Sequence, residues 1–271
     1  MNQDYKFRHN GSKSVDKVIS NKLKEVVSQK TFEKNDLFQT NIFNQQIKNE
    51  LLSSLPVSDL QNLYSLMELV QLDKDEYIYQ PDNFIHSLYF PETAVISEYH
   101  ILQNGKTIEL SMVGREGIVG ASSVLNFNYS RNWSQVLIPG QAYRIDSKAF
   151  EQETNSKEAV KKIFFNFINL YISQMSQKII CNNHHTIEER LCLWLLLINE
   201  RCDDKNLPLT QEQIANYLGT YRPSITLITQ TLRQKGIIDS LRGKIIILDE
   251  ANLKKMSCDC YTMIKTKQQT A

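Results

Sequence analysis

Arg222 lies in the segment GTYRPSIT, between two segments whose apolar residues recur at helical spacing. The next residue, Pro223, fits the first turn of a helix because its missing N–H has no intrahelical partner there. Because helical backbone angles are disfavoured before a proline, we expect Arg222 at the entrance of the second helix. From that position its guanidinium can donate two parallel hydrogen bonds to guanine. Arg222 is therefore a candidate for contact with a nucleic-acid base; the alternative is a surface arginine on an ordinary helical hairpin.

The segments on both sides of Arg222 are predicted to form a helix-turn-helix. Thr210 is the expected N-cap of the first helix, and Gly219 is its expected end. A short turn that contains glycine then leads into the second helix, in which Ile225 and Leu232 are expected to face inward. In this motif the N-terminal residues of the second helix contact base edges.

A two-stranded ribbon is predicted directly after the second helix. The sequence IIDSLRGKIIIL alternates on both sides of a turn at Arg242 and Gly243, so Arg242 and Lys244 should project from its tip. Between Thr210 and Lys244 there are five Lys or Arg residues and two acidic residues, a net charge of +3. This moderate positive excess is consistent with contacts to phosphates.

A long helix is predicted upstream of this module. The segment KEAVKKIFFNFINLYISQMSQKIICNN has no glycine or proline over about 25 residues, which predicts a rod about 35 to 40 Å long. Helices of this length commonly pair with a copy of themselves, and covering a neighbouring barrel is the alternative. The predicted dimer interface comprises Ile163, Phe164, Phe167, Leu170 and Tyr171.

The region between Leu72 and Ile145 is predicted to consist of short antiparallel strands. Apolar and polar residues alternate there with a period of two, as in the segment TIELSM. The pair Asn104 and Gly105 predicts a type I′ turn between two of these strands. Several such strands, separated by glycine and proline, predict an antiparallel barrel or jelly roll of about 75 residues.

Composition and motifs exclude several classes of protein. The 271 residues carry a net charge of +1, and no apolar run reaches the roughly 18 residues that a membrane span needs. The first residues have no apolar core of a secretory signal, so a cytoplasmic location is expected. The chain shows no Ser/His/Asp order, no P-loop and no HExxH pattern, so no catalytic activity is expected.

Residues 1–36 are predicted to be a disordered basic leader. From Met1 to Lys34, eight Lys or Arg residues stand against four acidic residues, a net charge of +4, and the few apolar residues follow no regular period. The alternative is a basic arm that is attracted to a polyanion without specificity.

Together, these features resemble the superfamily of the cyclic-AMP receptor protein and the fumarate and nitrate reduction regulator. The resemblance runs from about Phe43 to Ile247 and includes the segments GREGIVG, HHTIEERLCLWLLL and LTQEQIANYLGTYRPSI. It implies an α+β fold with an N-terminal cyclic-nucleotide-binding-like antiparallel β-barrel (jelly roll), a long dimerisation helix and a C-terminal winged helix-turn-helix. With the leader at 1–36, the expected regions are a sensory barrel at 37–153, the dimerisation helix at 154–183 and the winged helix-turn-helix domain at 184–271.

The function implied by the resemblance is sequence-specific transcription regulation without catalysis. It implies a homodimer on an inverted repeat in double-stranded DNA, with RNA polymerase as a further partner. Arg222 matches the first base-reading arginine of the family, but Pro223 and Leu227 stand where the best-known members have an acid and a second arginine. The half-site that those members read is therefore not expected here. The implied DNA contacts are Thr210, Gln211, Tyr221, Arg222, Ser224, Thr226, Arg242 and Lys244.

The barrel is expected to respond to an effector other than cyclic AMP. Cyclic-nucleotide binders of this fold carry a glutamate for the ribose hydroxyl after the second glycine of the turn, and Ala121 stands in that place here. Their phosphate-pairing arginine corresponds to Arg131, which is near the required register without matching it securely. The sequence identifies no effector. The possible effector pocket comprises Gly117, Gly120, Ala121, Ser122 and Arg131.

The five cysteines predict neither a disulfide framework nor a metal site. An iron–sulfur sensor of this family needs cysteines near the N-terminus, and the first one here is Cys181. Cys258 and Cys260 could chelate a metal only with further soft ligands nearby, which the sequence does not indicate. His184 and His185 are expected to be polar bridging residues, so no cofactor is expected.

Two alternative functions stay open at this stage. One is a barrel-based signalling module that binds a protein partner and carries a degraded winged helix. The other is a thiol- or metal-responsive regulator that uses Cys181, Cys192 and Cys202.

Overall fold

The computed structural model describes residues 47–269. The predicted leader at 1–36 lies outside this range. Two short helices, α1 (Glu50–Ser53) and α2 (Val57–Tyr64), open the described chain. Among the residues that are described, no helix is both long and apolar enough to cross a membrane.

The barrel predicted from the period-two pattern is present as two antiparallel sheets. The strands are β1 (Glu68–Leu72), β2 (Tyr77–Tyr79), β3 (Ser87–Pro91), β4 (Val95–Ile101), β5 (Thr107–Val113), β6 (Trp133–Ile138) and β7 (Gly140–Asp146). The first sheet has the strand order β1-β7-β3, and the second has the order β2-β6-β4-β5. A 3-10 helix at Ala121–Leu125 follows the GREGIVG turn.

The hairpin between β4 and β5 is confirmed, but its turn is not of type I′. Gly105 has a φ of +78°, whereas Asn104 is not among the residues with positive φ. The N–H of Gly105 donates to the carbonyl of Leu102, and the N–H of Leu102 donates to that of Lys106, both at 2.8 Å. The turn is therefore longer than two residues, and only its glycine needs left-handed backbone angles.

Helix α3 (Ser147–Thr154) leads into the long helix α4 (Glu158–His184). The prediction of an uninterrupted helix is confirmed, since α4 has 27 residues and is about 40 Å long. One face of α4 packs on the barrel of the same chain. The ring of Phe164 has its centroid 4.9 Å from that of Phe150 and 6.3 Å from that of Phe90.

This packing corrects the predicted dimer interface. Phe164 and Phe167 are only 1% and 6% exposed, because both belong to the contact between α4 and the barrel. Tyr171 donates a hydrogen bond to Glu98 of β4 in the same way. These three side chains are therefore used within the chain, and Ile163 and Leu170 beside them are half-buried. The large exposed apolar residues of α4 are instead Phe165, Ile172, Ile179 and Ile180.

The C-terminal region is built of helices and a small three-stranded sheet. The helices are α5 (Ile187–Arg201), α6 (Gln211–Leu218), α7 (Arg222–Gln234), α8 (Glu250–Met256) and α9 (Cys260–Gln269). The strands are β8 (Asn206–Leu207), β9 (Ile238–Leu241) and β10 (Lys244–Ile247), in the order β8-β10-β9. The predicted helix-turn-helix corresponds to α6 and α7, and the predicted ribbon corresponds to β9 and β10.

One continuous core joins the barrel to these C-terminal helices. The ring of Tyr99 on β4 lies 6.0 Å from that of Tyr217 on α6, which lies 6.0 Å from that of Trp194 on α5. Arg201 at the end of α5 pairs with Glu116 of the GREGIVG turn, with 2.7 Å between Nε and the carboxylate. The helix-turn-helix is thus packed against β4 and β5 of its own barrel.

Candidate nucleic-acid interface

Helix α6 begins and ends with local signals that the sequence carries. The hydroxyl of Thr210 accepts the N–H of Gln213 at 3.1 Å, and the Gln213 side chain accepts the N–H of Thr210 at 3.1 Å. This reciprocal capping box satisfies two N–H groups that have no partner within the helix. Gly219 ends α6 with a φ of +63°. The turn between α6 and α7 is therefore short and well defined.

Helix α7 begins at Arg222 itself, one residue earlier than the proline rule predicts. Tyr221 is its N-cap, and Pro223 lies in its first turn. Ile225 and Leu232 are fully buried, as predicted. Helix α7 packs against α6 and β9, and the burial of these residues fixes which face of α7 points to solvent.

Two predicted DNA contacts, Gln211 and Thr226, hold α6 and α7 together. The hydroxyl of Thr226 donates to the Gln211 side-chain oxygen at 2.7 Å. The Gln211 amide nitrogen donates in turn to the hydroxyl of Thr229 at 3.1 Å, and Thr229 is fully buried. These hydrogen bonds fix the angle between the two helices. Gln211 and Thr226 therefore border the exposed face of α7, and their hydrogen bonds also fix its orientation.

An open surface depression lies between α6 and α7, along the exposed face of α7. It is lined by Gln211, Arg222, Pro223, Thr226, Leu227 and Gln230. The side chain of Arg222 is 65% exposed, and its Nε lies 4.0 Å from the carboxylate of Glu212, which is a loose ion pair. Leu227 is 66% exposed, an unusual position for a leucine. Leu227 and Gln230 were missing from the predicted contacts, although helical spacing from Arg222 and Pro223 places them on this face.

The remaining predicted contacts lie on both sides of this depression. Tyr221 is 69% exposed, and the ammonium of Lys106, in the β4–β5 hairpin, lies 5.2 Å from the centre of its ring. Ser224 is half-buried in the first turn of α7. Arg242 and Lys244 are exposed at the tip of the β9–β10 ribbon, as predicted. Exposed cations thus flank α7 on the ribbon side.

The barrel contains a separate cavity of about 220 Å³. Of the predicted pocket residues, Gly120, Ala121, Ser122 and Arg131 line it. Gly117 does not: a Cβ on this residue would lie 2.4 Å from the ring of Phe167, because α4 packs directly on the turn.

The residues that line this cavity offer an anion no buried cationic partner. Its wall includes the carboxyl of Glu98, which accepts a hydrogen bond from Tyr171. Burial raises the pKa of Glu98, and hydrogen bonds from Tyr171, Ser134 and Ser111 counteract this only in part. The side chain of Arg131 is 80% exposed and lies 3.8 Å from the carboxylate of Asp82. Arg131 therefore borders the cavity from outside.

A second correction concerns the cysteines. The structure brings Cys181 and His185 next to Cys258 and Cys260, so the expectation that no further soft ligands lie near the last two is wrong. The thiol of Cys181 lies 3.6 Å from that of Cys258, and the hydrogen bond between them lowers the pKa of Cys258. The alternative of a thiol- or metal-responsive regulator combined Cys181 with Cys192 and Cys202. These last two cysteines are buried outside this cluster.

Two family models match this chain. The Crp-like helix-turn-helix domain matches residues 189–256. The cyclic nucleotide-binding domain matches residues 69–157. The two matches coincide with the winged helix-turn-helix and with the barrel.

Two individual proteins are similar to this chain over most of its length. An anaerobic regulatory protein of Bacillus subtilis (strain 168) is 23% identical over 211 residues, which cover 73% of this chain and 89% of that protein. A protein of the same name from Pasteurella multocida (strain Pm70) is 21% identical over 222 residues, 79% of this chain and 80% of that protein.

Solved structures share the fold. FixK2 from Bradyrhizobium japonicum superposes with a TM-score of 0.60 at 17% identity, covering 71% of this chain and 98% of that one. A putative regulator of the Crp/Fnr family from Eubacterium rectale has a TM-score of 0.60 at 18% identity, covering 77% and 98%. With both domains matched in order along one chain, the protein belongs to the Crp/Fnr superfamily of helix-turn-helix transcription regulators.

Proposed function

We propose that this regulator binds an inverted repeat in double-stranded DNA as a homodimer and reads its sequence through the exposed face of α7. The observation that carries the proposal is the depression lined by Arg222, Leu227 and Gln230. It lies on the second helix of a helix-turn-helix, the element that enters the major groove in this motif. RNA polymerase is the further partner expected of a protein that regulates transcription.

The side chains on this face suggest what α7 recognises. The exposed guanidinium of Arg222 can donate to guanine O6 and N7, and the amide of Gln230 suits adenine N6 and N7. The exposed Leu227 offers an apolar surface to a thymine methyl group. Arg242 and Lys244 on the ribbon are placed for phosphates, which position the protein without reading sequence. The half-site should therefore combine one G·C pair with neighbouring A·T pairs.

The dimer is supported by a second apolar stripe on α4. Phe165, Ile172 and Ile179 follow one another at intervals of seven residues and are 49%, 56% and 65% exposed. Ile168 and Met175 lie three residues after the first two, which completes a heptad pattern. The opposite face of α4 is filled by the chain's own barrel, through Phe164 and Phe167 among others. Burying this second stripe against the same stripe of a second copy gives a two-fold dimer.

We infer further that cyclic AMP is not the effector. A cyclic phosphate placed in the barrel cavity would face the carboxyl of Glu98, and the exposed Arg131 already pairs with Asp82. Taking an anion out of water without a buried cationic partner is unfavourable by several kcal/mol.

Selection of bound duplexes from a random pool tests the proposed function. The full chain should enrich an inverted repeat whose half-site centres are about 10 base pairs apart, or a multiple of that spacing. No enrichment, with no binding to random duplexes at low salt, would favour the barrel-based module that binds a protein partner. Enrichment of a single unrepeated site would contradict the homodimer and leave DNA recognition intact.

A further inference from the structure

Four soft ligands from two distant parts of the chain meet beside the α4–α5 junction. Cys181 lies in the last turn of α4. His185 directly follows that helix, four residues after Cys181 and on the same side. Cys258 lies in the connection between α8 and α9, and Cys260 is the first residue of α9. Their ligand atoms all lie within 4.8 Å of one another, and the three cysteines are buried.

Two separations within this cluster are close to those of tetrahedral zinc, and the remaining ligand atoms lie within 4.8 Å of one another. The sulfurs of Cys181 and Cys258 are 3.6 Å apart, and Sγ of Cys260 lies 3.5 Å from Nδ1 of His185. With Zn–S near 2.3 Å and Zn–N near 2.0 to 2.1 Å, a tetrahedron has edges of about 3.8 Å between sulfurs and about 3.6 Å between sulfur and nitrogen. One ion could therefore reach all four ligand atoms after shifts of about 1 Å or less in the side chains. Three cysteines and one histidine are also a common set for structural zinc.

The histidine is oriented as a ligand. Its Nδ1 faces the thiols, and its Nε2 lies 3.4 Å from the carboxylate of Asp259. Metal-binding histidines commonly donate their second ring N–H to a carboxylate, which fixes the ring and the tautomer. The cluster thus has the outer partner that a zinc-bound histidine needs.

The surroundings of the cluster can balance its charge. Three thiolates and a neutral imidazole around Zn²⁺ carry a net charge of −1. Arg190 lies close enough to interact electrostatically with Cys181 and Cys258. Its buried Nε has no hydrogen-bond partner among the residues that the structure describes. On the other side, the buried amide of Gln177 donates to the sulfur of Cys260 at 3.2 Å.

We propose that Cys181, His185, Cys258 and Cys260 bind one Zn²⁺ ion in a closed tetrahedral site. Four protein ligands leave no position for a substrate, so the role of the site is structural. Each thiol loses its proton to solvent when it binds the metal. The ion ties the start of α9 to the junction between the long helix α4 and α5. It therefore fixes the connection through which the barrel and its dimer helix are joined to the helix-turn-helix.

Cobalt substitution of the full-length chain tests this site. The protein, reduced and kept anaerobic, is stripped with a chelator and titrated with Co²⁺. We expect the visible bands of tetrahedral cobalt and a thiolate charge-transfer band, saturating at one Co²⁺ per chain and abolished by one equivalent of Zn²⁺. Elemental analysis of the untreated protein should give one zinc per chain.

Matched variants identify which cysteines bind the metal ion. Cys258→Ala and Cys260→Ala should each abolish the cobalt spectrum, whereas Cys192→Ala and Cys202→Ala, which remove buried thiols elsewhere, should keep it at full stoichiometry. Asp259→Asn is a variant that should fold normally, because the side chain of Asp259 is 68% exposed. This variant should keep the spectrum and bind the metal about 10- to 100-fold more weakly.

Three results would overturn the proposal. The first is a cobalt spectrum that survives in the Cys258→Ala/Cys260→Ala double variant. The second is metal-free protein whose peptide map shows a disulfide between Cys181 and Cys258, which would make the cluster an oxidisable thiol pair. The third is an iron–sulfur chromophore in protein purified without oxygen, which would replace a single ion by a cluster.

Discussion

The buried carboxylate of Glu109 on β5 accepts the indole N–H of Trp194 on α5 at 2.9 Å. The same oxygen receives Lys178 of α4, and the other oxygen accepts the hydroxyl of Ser97 at 2.8 Å. One carboxylate therefore joins the barrel, the long helix and the first helix of the DNA-binding region. Glu109→Ala should lower the free energy of unfolding by about 3 kcal/mol, because it leaves a mostly buried ammonium and an indole N–H without a partner.

The free energy of unfolding in urea should be measured for Glu109→Ala and for Glu68→Ala as its control. Glu68 pairs with Arg144 on the barrel surface, where both side chains are about half exposed. Its loss should change stability by less than about 1 kcal/mol. Equal effects of the two substitutions would show that Glu109 does not join the elements energetically.

The carboxyl of Glu98 should make stability depend on pH. Its pKa is raised in the folded barrel because burial disfavours the charged form. A group with a raised folded-state pKa contributes stability below its unfolded-state pKa, near 4.5, and loses that contribution as pH rises through the folded value. Glu98→Gln should therefore gain stability relative to the wild type as the pH increases from about 5 to about 8.

Glu189→Gln provides a control of opposite sign for this measurement. Hydrogen bonds from Thr186 lower the pKa of Glu189, so the wild-type carboxylate contributes stability above its unfolded-state pKa. That variant should lose stability relative to the wild type as the pH rises to about 5, with no further change between about 5 and about 8. If both variants followed the same pH dependence, the raised pKa of Glu98 would be refuted.

Arg222 and Arg242 should differ in how they contribute to DNA binding. Arg222→Ala should weaken binding to the selected site by about 1 to 3 kcal/mol and relax the preference at one base pair of each half-site. Arg242→Ala should weaken binding to all duplexes alike and reduce the salt slope by about one. Binding curves on selected and random duplexes at several salt concentrations separate the two effects. Equal losses on both duplexes for Arg222→Ala would make this arginine a phosphate contact.

The heptad stripe on α4 should control the oligomeric state. Ile172→Glu places a charge in the centre of the proposed interface and should give monomers of 31.5 kDa in sedimentation equilibrium. Ile180→Glu is the matched control, since Ile180 is 49% exposed on the same helix but lies outside the stripe. A dimer that survives Ile172→Glu would place the interface elsewhere. Phe167→Glu is unsuitable for this test because it would disrupt the chain's own core.

Cyclic nucleotides should not bind the barrel. Titration with cyclic AMP or cyclic GMP to about 1 mM should give no heat and no change in DNA affinity. The reason is the carboxyl of Glu98 inside the cavity and the outward position of Arg131. Saturable binding with a dissociation constant below about 10 μM, abolished by Arg131→Ala, would show that Arg131 turns into the cavity to pair with the phosphate.

The sequence predicted best what local chemistry determines. Thr210, Gly219 and Pro223 act on backbone groups within a few residues of themselves, so the limits of α6 and the start of α7 could be predicted to within one residue. The alternation of apolar residues likewise predicted the strands of the barrel. The type I′ turn was wrong because the ladder closes at Leu102 and Lys106, which turn propensity alone does not reveal.

Predictions that required knowledge of distant partners failed. Helix α4 is apolar on two faces, and its sequence does not say that Phe164 and Phe167 face the barrel while Phe165 and Ile172 do not. The cysteine cluster joins positions that are 77 residues apart, Cys181 and Cys258. Only the docking of α9 on α4 brings these thiols together.

The core that runs from Tyr99 through Tyr217 to Trp194 buries aromatic rings between the barrel and the helix-turn-helix. A signal that reorients α7 must therefore supply the free energy of exposing these aromatic rings to water or must repack them in a new arrangement. A ligand that binds both arrangements equally would leave the orientation of α7 unchanged. The junction thus sets an energetic threshold for any effector of this regulator.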